Sequence, residues 1–196
     1  MPNIKTYGYN DGVQLSPHFN SNEFRCKCGV PHDILIDLDL IDKLEDLHTA
    51  FNCHSIIINS GYRCSKHDKT MGNGKGMHTK GQAADIVCKD KNRNIISSKD
   101  VCCKAQDLGF GGIANINTSY NSTHVDTRDT KWYGDETKGN SSVTSDFYKY
   151  FGIKRDNEVE DDKYLTKEEL QEIINHLKKN RNETDDMIHR YEALIK

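Results

Sequence analysis

Apolar positions in this chain change period several times, and each change marks an element. From Asp39 to Phe51 the residues Leu40, Ile41, Leu44, Leu47 and Phe51 recur at helical spacing, with acids and Lys43 between them, which predicts an amphipathic helix. Ile56-Ile57-Ile58 then reads as a buried strand that delivers Tyr62 and Arg63 at its end. Ser65 to Lys75 is a polar loop, and the small and apolar run from Gly81 through Cys88 is a second buried strand. Period two puts Gly81, Ala83 and Asp85 on one face of it. Ser97-Ser98-Lys99-Asp100 opens a helix that runs to Leu108, and Gly109-Phe110-Gly111-Gly112 ends it. Ile113 to Ile116 and Thr123 to Arg128 form a hairpin across Asn117-Thr118-Ser119-Tyr120-Asn121. Ser21 to Phe24 opens a short helical turn.

Strand and helix patterns in mixed order favour an α+β domain with a small, mainly antiparallel sheet and helices packed on one side. Residues 1–16 read as a leader, 17–133 as the domain that carries the chemistry, and 134–164 as a polar and acidic linker. Residues 165–196 read as a helical tail. Thr166 and Glu169 have the spacing of a capping box ahead of Leu170, Ile173, Ile174 and Leu177. The stripe is interrupted at 180–186 and resumes with Ile188, Tyr191, Leu194 and Ile195. Either the catalytic domain or a second copy of the chain is expected to cover it.

With 196 residues there is room for one ordinary domain and an appendage. A net charge of -3 and a pI near 6.3 leave no basic footprint for nucleic acid. No run approaches the roughly 20 apolar residues of a membrane-spanning helix. The first residues, Met1 to Tyr7, contain no apolar stretch of the kind that opens a secretory signal.

The chemistry concentrates in two places. His78-Thr79-Lys80-Gly81-Gln82-Ala83-Ala84-Asp85 separates a histidine from an aspartate by seven positions, and His124-Val125-Asp126 follows about forty residues later. Two histidines and one carboxylate are the ligand set of catalytic zinc, three protein groups with one position left for water. Only small side chains lead up to Asp85, so a metal and a substrate have close access to it.

These residues resemble the peptidoglycan-cleaving zinc metallopeptidases of the D-Ala-D-Ala carboxypeptidase and phage endolysin type. Their motif Ser-x-His-x-x-Gly-x-Ala-x-Asp reads here Gly76-Met77-His78-Thr79-Lys80-Gly81-Gln82-Ala83-Ala84-Asp85. A strand ending in Ser60-Gly61-Tyr62-Arg63, the block His124-Val125-Asp126-Thr127-Arg128 with Trp132, and Leu15-Ser16-Pro17-His18-Phe19 near the start complete the likeness. It implies a hedgehog-like fold, with zinc held by His78, Asp85 and His124. The substrate it implies is a peptide bond beside a D-residue in bacterial stem peptides or cross-links. It also implies that Arg63 binds a substrate carboxylate. With no signal read at the start, the expectation is cytoplasmic accumulation and release to the cell wall by another agent.

Two positions depart from the pattern. Gly76 replaces the motif serine, and Asn121 stands where many relatives carry the glutamate of Glu-x-x-His, a group that serves as base. Asp126 is then a catalytic candidate. A strand projects His124, Asp126 and Arg128 from one face, so Asp126 either accepts a proton from the attacking water or hydrogen-bonds a ligand histidine. A base from another loop is the third option. The competing reading from a different class is a zinc-bearing binding module without catalysis, like the hedgehog signalling domain. The seven cysteines are odd in number and read as reduced thiols, or as Cys26, Cys28 and Cys64 joined by His32 or His67 in a small structural zinc site.

Overall fold

The computed structural model describes residues 2–72, 74–117, 120–139, 143, 145–155 and 167–179. The capping box at Thr166, the acidic stretch 156–162 and the second half of the tail lie outside them. Two compact units divide the chain, Met1–Ile153 and Lys154–Lys196.

Within the first unit, β1 (Ile4–Tyr7) pairs antiparallel with β2 (Ile34–Asp37) as a small two-stranded sheet. Helix α1 (Leu38–Ala50) follows at once, with the Asp37 side chain accepting from the amide of Asp39 as its N-cap. The stripe predicted from Asp39 to Phe51 is the buried one: Leu40, Ile41, Leu44 and Leu47 have no more than 1% exposure. Then come β3 (Ser55–Ser60), the one-turn helix α2 (Ser65–Asp68), β4 (Ala83–Lys89) and α3 (Ser98–Asp107), capped by Ser97. Strands β5 (Gly112–Asn117), β6 (Ser122–Asp126) and β7 (Trp132–Asp135) complete a five-stranded sheet ordered β3-β4-β6-β5-β7. All neighbours run antiparallel except β5 and β7. This is the α+β fold with a mainly antiparallel sheet that the pattern predicted.

Register divides the labour between the sheet's faces. Ala84 faces Val125, which faces Ile113, which faces Tyr133, and all are buried on the side where α1 and α3 pack. One residue along, Asp85 faces His124 and Ala83 faces Asp126. Gly112 and Ala114 continue that face on β5, and Trp132 on β7. Period two thus sends the apolar set to the core and the chemistry to the opposite face.

Two pieces of the fold were not visible in the sequence. The Ile34–Asp37 run was given no element, yet it is the strand on which the first residues of the chain pair. Residues read as linker contain helix α4 (Phe147–Phe151), whose Phe147 is fully buried against Tyr133 and Phe151. The helix that the stripe beginning at Leu170 predicted is present as α5 (Lys167–Lys179), with Leu170 and Ile174 buried.

Candidate metal centre

His78 sits in a single 3-10 turn, Met77–Lys80, which Gly81 ends with φ of 74°. A Cβ on Gly81 would lie 2.5 Å from the Leu35 carbonyl, so only glycine brings this turn against β2. Asp37 holds the same junction. Its amide donates to the Gly81 carbonyl at 2.8 Å, and its carboxylate accepts from the Thr127 hydroxyl at 2.6 Å. One buried acid therefore ties the end of the His78 turn to the segment just after β6.

His78, Asp85 and His124 meet at a point. His78 Nε2 is 3.2 Å from Asp85 Oδ1 and 3.2 Å from His124 Nδ1, and His124 Nδ1 is 3.0 Å from Asp85 Oδ1. The outer nitrogen of each ring is taken. His78 Nδ1 lies 2.7 Å from the Gly61 carbonyl, so it bears a hydrogen. His124 Nε2 lies 3.1 Å from Asp126 Oδ2 and donates to it. With both imidazoles neutral, each inner nitrogen turns a lone pair toward the other and toward a carboxylate oxygen, leaving three acceptors with no donor among them. Such a triangle needs a positive charge at its centre.

The electrostatics record the same demand. Burial opposes charge on His124, but the hydrogen bonds and charges of Asp126 and Asp85 prevail and raise its pKa to about 9. Asp85 is penalised by burial too, yet His124 and His78 hold its carboxyl well below the usual range. The site concentrates negative potential on its donors, and a divalent cation fits that set.

Asp126 is fully buried, and both its oxygens are occupied. Oδ2 receives His124, while the amide and Nε of Arg128 donate to Oδ1 at 3.0 and 2.9 Å. Burial would raise its pKa, but His124 and Arg128 outweigh that and keep it strongly depressed. A Cβ on Gly112 would stand 2.1 Å from Asp126 Oδ2, so the missing side chain on β5 makes room for this carboxylate. Arg128 in turn stacks its guanidinium 4.7 Å over the ring of Trp132.

Arg63 reaches the centre from the end of β3. It pairs with Asp85 Oδ2, donates from Nε to Ser60 at 2.8 Å, and has Nη1 3.8 Å from Asp68. The two oxygens of Asp85 therefore serve different partners, the histidines on one side and Arg63 on the other. A cavity of about 670 Å³ opens over the group, lined also by Met71, Met77, Ile116, Trp132 and Glu136. Asn121 does not line it; its Oδ1 faces the Ser98 amide at 3.5 Å. Gly76 lies beside Asp68, whose carboxylate accepts from the Gly76 amide at 3.4 Å.

Glu136, in a 3-10 turn directly after β7, is a cavity residue that sequence reasoning missed. Its side chain is exposed, unlike Asp68, Asp85 and Asp126, which are buried and engaged. The signal was its place four residues after Trp132, at the end of a strand parallel to β5.

A family model described as Peptidase M15 matches residues 17–126. The chain belongs to the M15 peptidase family. The match covers more than half the chain and contains Arg63, His78, Asp85, His124 and Asp126, while Arg128, Trp132 and Glu136 follow it. No individual curated protein matches the chain. M15 membership makes this a metallopeptidase, and the histidine–aspartate triangle is a group of residues able to hold its metal. Among the described residues no helix is long and apolar enough to cross a membrane.

Proposed function

We propose that this M15 chain is a zinc-dependent peptidase that hydrolyses peptide bonds next to D-amino acids in bacterial peptidoglycan, in stem peptides or cross-links, in the manner of a phage endolysin. The observation that carries the reading is the convergence of His78 Nε2, Asp85 Oδ1 and His124 Nδ1 at 3.0 to 3.2 Å on the floor of an open cavity. Zinc held by these three atoms would polarise the scissile carbonyl and favour deprotonation of a water.

The chain's own groups divide the remaining work. Glu136 is the proton acceptor, because it is the exposed carboxylate on the cavity wall. It takes the proton from the attacking water and returns it to the leaving amine. Asp126 is a positioning residue: it fixes the tautomer and plane of His124 through Nε2. Arg128 keeps Asp126 ionised and in place. Arg63 steadies Asp85 and presents Nη1, its most loosely paired nitrogen, to a substrate carboxylate. Trp132 forms one wall against the peptide.

Purified protein incubated with bacterial peptidoglycan tests this. New amino groups should appear, chelator should stop their release, and mass spectrometry of the fragments names the bond. Arg63→Ala should chiefly harm substrates with a free carboxylate near the cut. Failure of the zinc-loaded protein to hydrolyse several wall types would overturn the peptidase reading and favour a binding module.

A further inference from the structure

Three thiols and one imidazole outside the catalytic cavity also converge. Cys26, Cys28 and His32 lie in the loop that follows the Ser21–Phe24 turn, and Cys64 follows Arg63 at the start of α2. One donor atom from each of the four lies within 4.8 Å of every other. Cys28 Sγ stands 3.3 Å from His32 Nε2. His32 Nδ1 lies 2.9 Å from the Asp33 carbonyl and so bears the hydrogen, which leaves a lone pair on Nε2. The ring is held in that pose by edge contacts with Tyr62 and Tyr9.

A backbone amide is aimed at each of the three sulfurs, and Cys28 Sγ also lies 3.5 Å from the Val30 carbonyl. The Cys64 amide donates to Cys26 Sγ at 3.3 Å, the Val30 amide to Cys28 Sγ at 3.4 Å, and the His67 amide to Cys64 Sγ at 3.4 Å. His67 Nδ1 lies a further 3.3 Å from Cys26 Sγ. A thiolate accepts more strongly than a neutral thiol, so an amide aimed at each of three neighbouring sulfurs suits thiolates held by a cation. Three thiolates beside an imidazole lone pair cannot be packed together without a cation. We propose that Cys26, Cys28, His32 and Cys64 form a second, structural metal site, a closed Cys3His set suited to tetrahedral zinc.

Its place in the fold gives it a task. The site fastens the loop after Phe24 to the segment Tyr62–His67, next to the backbone bond from the Tyr62 amide to the Phe24 carbonyl at 2.9 Å. Arg63 lies inside that fastened segment and reaches from it to Asp85. Cys28, His32 and Cys64 border a shallow cavity of about 350 Å³, which gives an ion a way in. All four donors come from the protein, so no position is left for substrate, in contrast to the His78–Asp85–His124 centre.

Cobalt substitution of the full chain under reducing conditions tests the proposal, since sulfur-to-cobalt charge transfer absorbs in the near ultraviolet and the catalytic triangle contains no sulfur. The expected result is two cobalt ions per chain, with the charge-transfer band present. His78→Ala should keep the band and lose one ion, which separates this site from any failure of the peptidase reading. Cys28→Ser should lose the band and retain the other ion, and His67→Ala should retain both. Absence of the band in the unmutated protein overturns the proposal, whether or not the cysteine variants fold. So does persistence of the full band in Cys26→Ser/Cys64→Ser, because sulfur beyond Cys28 would then have to come from Cys53, Cys88, Cys102 or Cys103.

Discussion

The ring of His124 is clamped between two carboxylates, Asp85 Oδ1 at 3.0 Å from Nδ1 and Asp126 Oδ2 at 3.1 Å from Nε2. Both contacts follow from strand register, since Asp85 is the cross-strand partner of His124 and Asp126 lies two residues further along the same face. On the proposed reading the inner carboxylate is a metal ligand and the outer one fixes the tautomer of His124. With both its oxygens engaged by His124 and Arg128, Asp126 is proposed as a positioning residue and not as the base.

Asp126→Asn should therefore weaken metal binding by about 10- to 100-fold, the usual effect of removing the acid behind a ligand histidine. Turnover at saturating metal should recover much of its original value. Gly112→Ala should act in the same direction, because the added Cβ falls 2.1 Å from Asp126 Oδ2. Metal titration followed by chelator competition measures both. Unchanged affinity together with lost turnover would return Asp126 to the role of base.

Glu136→Gln keeps the shape of the side chain and removes its basicity. Turnover should fall by roughly 10²–10⁴, the contribution typical of a positioned proton acceptor, while metal content stays at the unmutated level. Metal analysis and peptide release on the same preparation decide the matter. Full activity would place the proton acceptor elsewhere.

His78→Ala and Asp85→Ala should each lose one metal equivalent and all chelator-sensitive hydrolysis. Asp85→Ala carries a second consequence, because it leaves Arg63 facing a cavity without its main acid partner. Its thermal stability should fall below that of His78→Ala, since a largely buried cation would then lack its partner. Calorimetry of the two metal-free variants gives that order or refutes it.

The sequence disclosed the parts of the site with a short-range signature. Small residues alternating toward Asp85 identified β4, and His124 and Asp126 two apart identified β6. It did not disclose that Asp85 and His124 face one another, because register is set by how β3, β4, β6 and β5 assemble, including the irregularities at Ile58/Ser60 and Asn115/Asn117. Glu136 escaped notice in a polar stretch where nothing periodic marks a cavity wall. Helix α4 escaped because five residues are too few for a helical stripe, although Phe147 fills the core beside Tyr133. The grouping of Cys26, Cys28 and Cys64 was legible in the sequence, but the choice between His32 and His67 was not, because it depends on how the loops pack.

A last prediction concerns acid and lies away from both proposed metal sites. His48, at the C-terminal end of α1, is buried with its Nε2 lacking any hydrogen-bond partner among the described residues. Its ring stacks on His18 at 3.7 Å between centroids, and Glu45 receives the Ser16 hydroxyl and the His18 ring on the same patch. Burial first and the His18 charge second lower the pKa of His48 below its ordinary 6.5, against partial opposition from Glu45. The sign follows from linkage. Between 6.5 and the lower folded value the unfolded chain binds a proton that the folded chain refuses, so stability drops as pH falls through that window. Glu45, also shifted down because its hydrogen bonds to Ser16 and His18 outweigh its burial, adds a loss in the same direction at lower pH. Thermal denaturation at constant metal should show a falling midpoint just below pH 6.5. His48→Phe preserves the stacked ring and cannot titrate, so its curve should be flatter there. Parallel curves for the two proteins would mean that His48 carries none of the acid sensitivity.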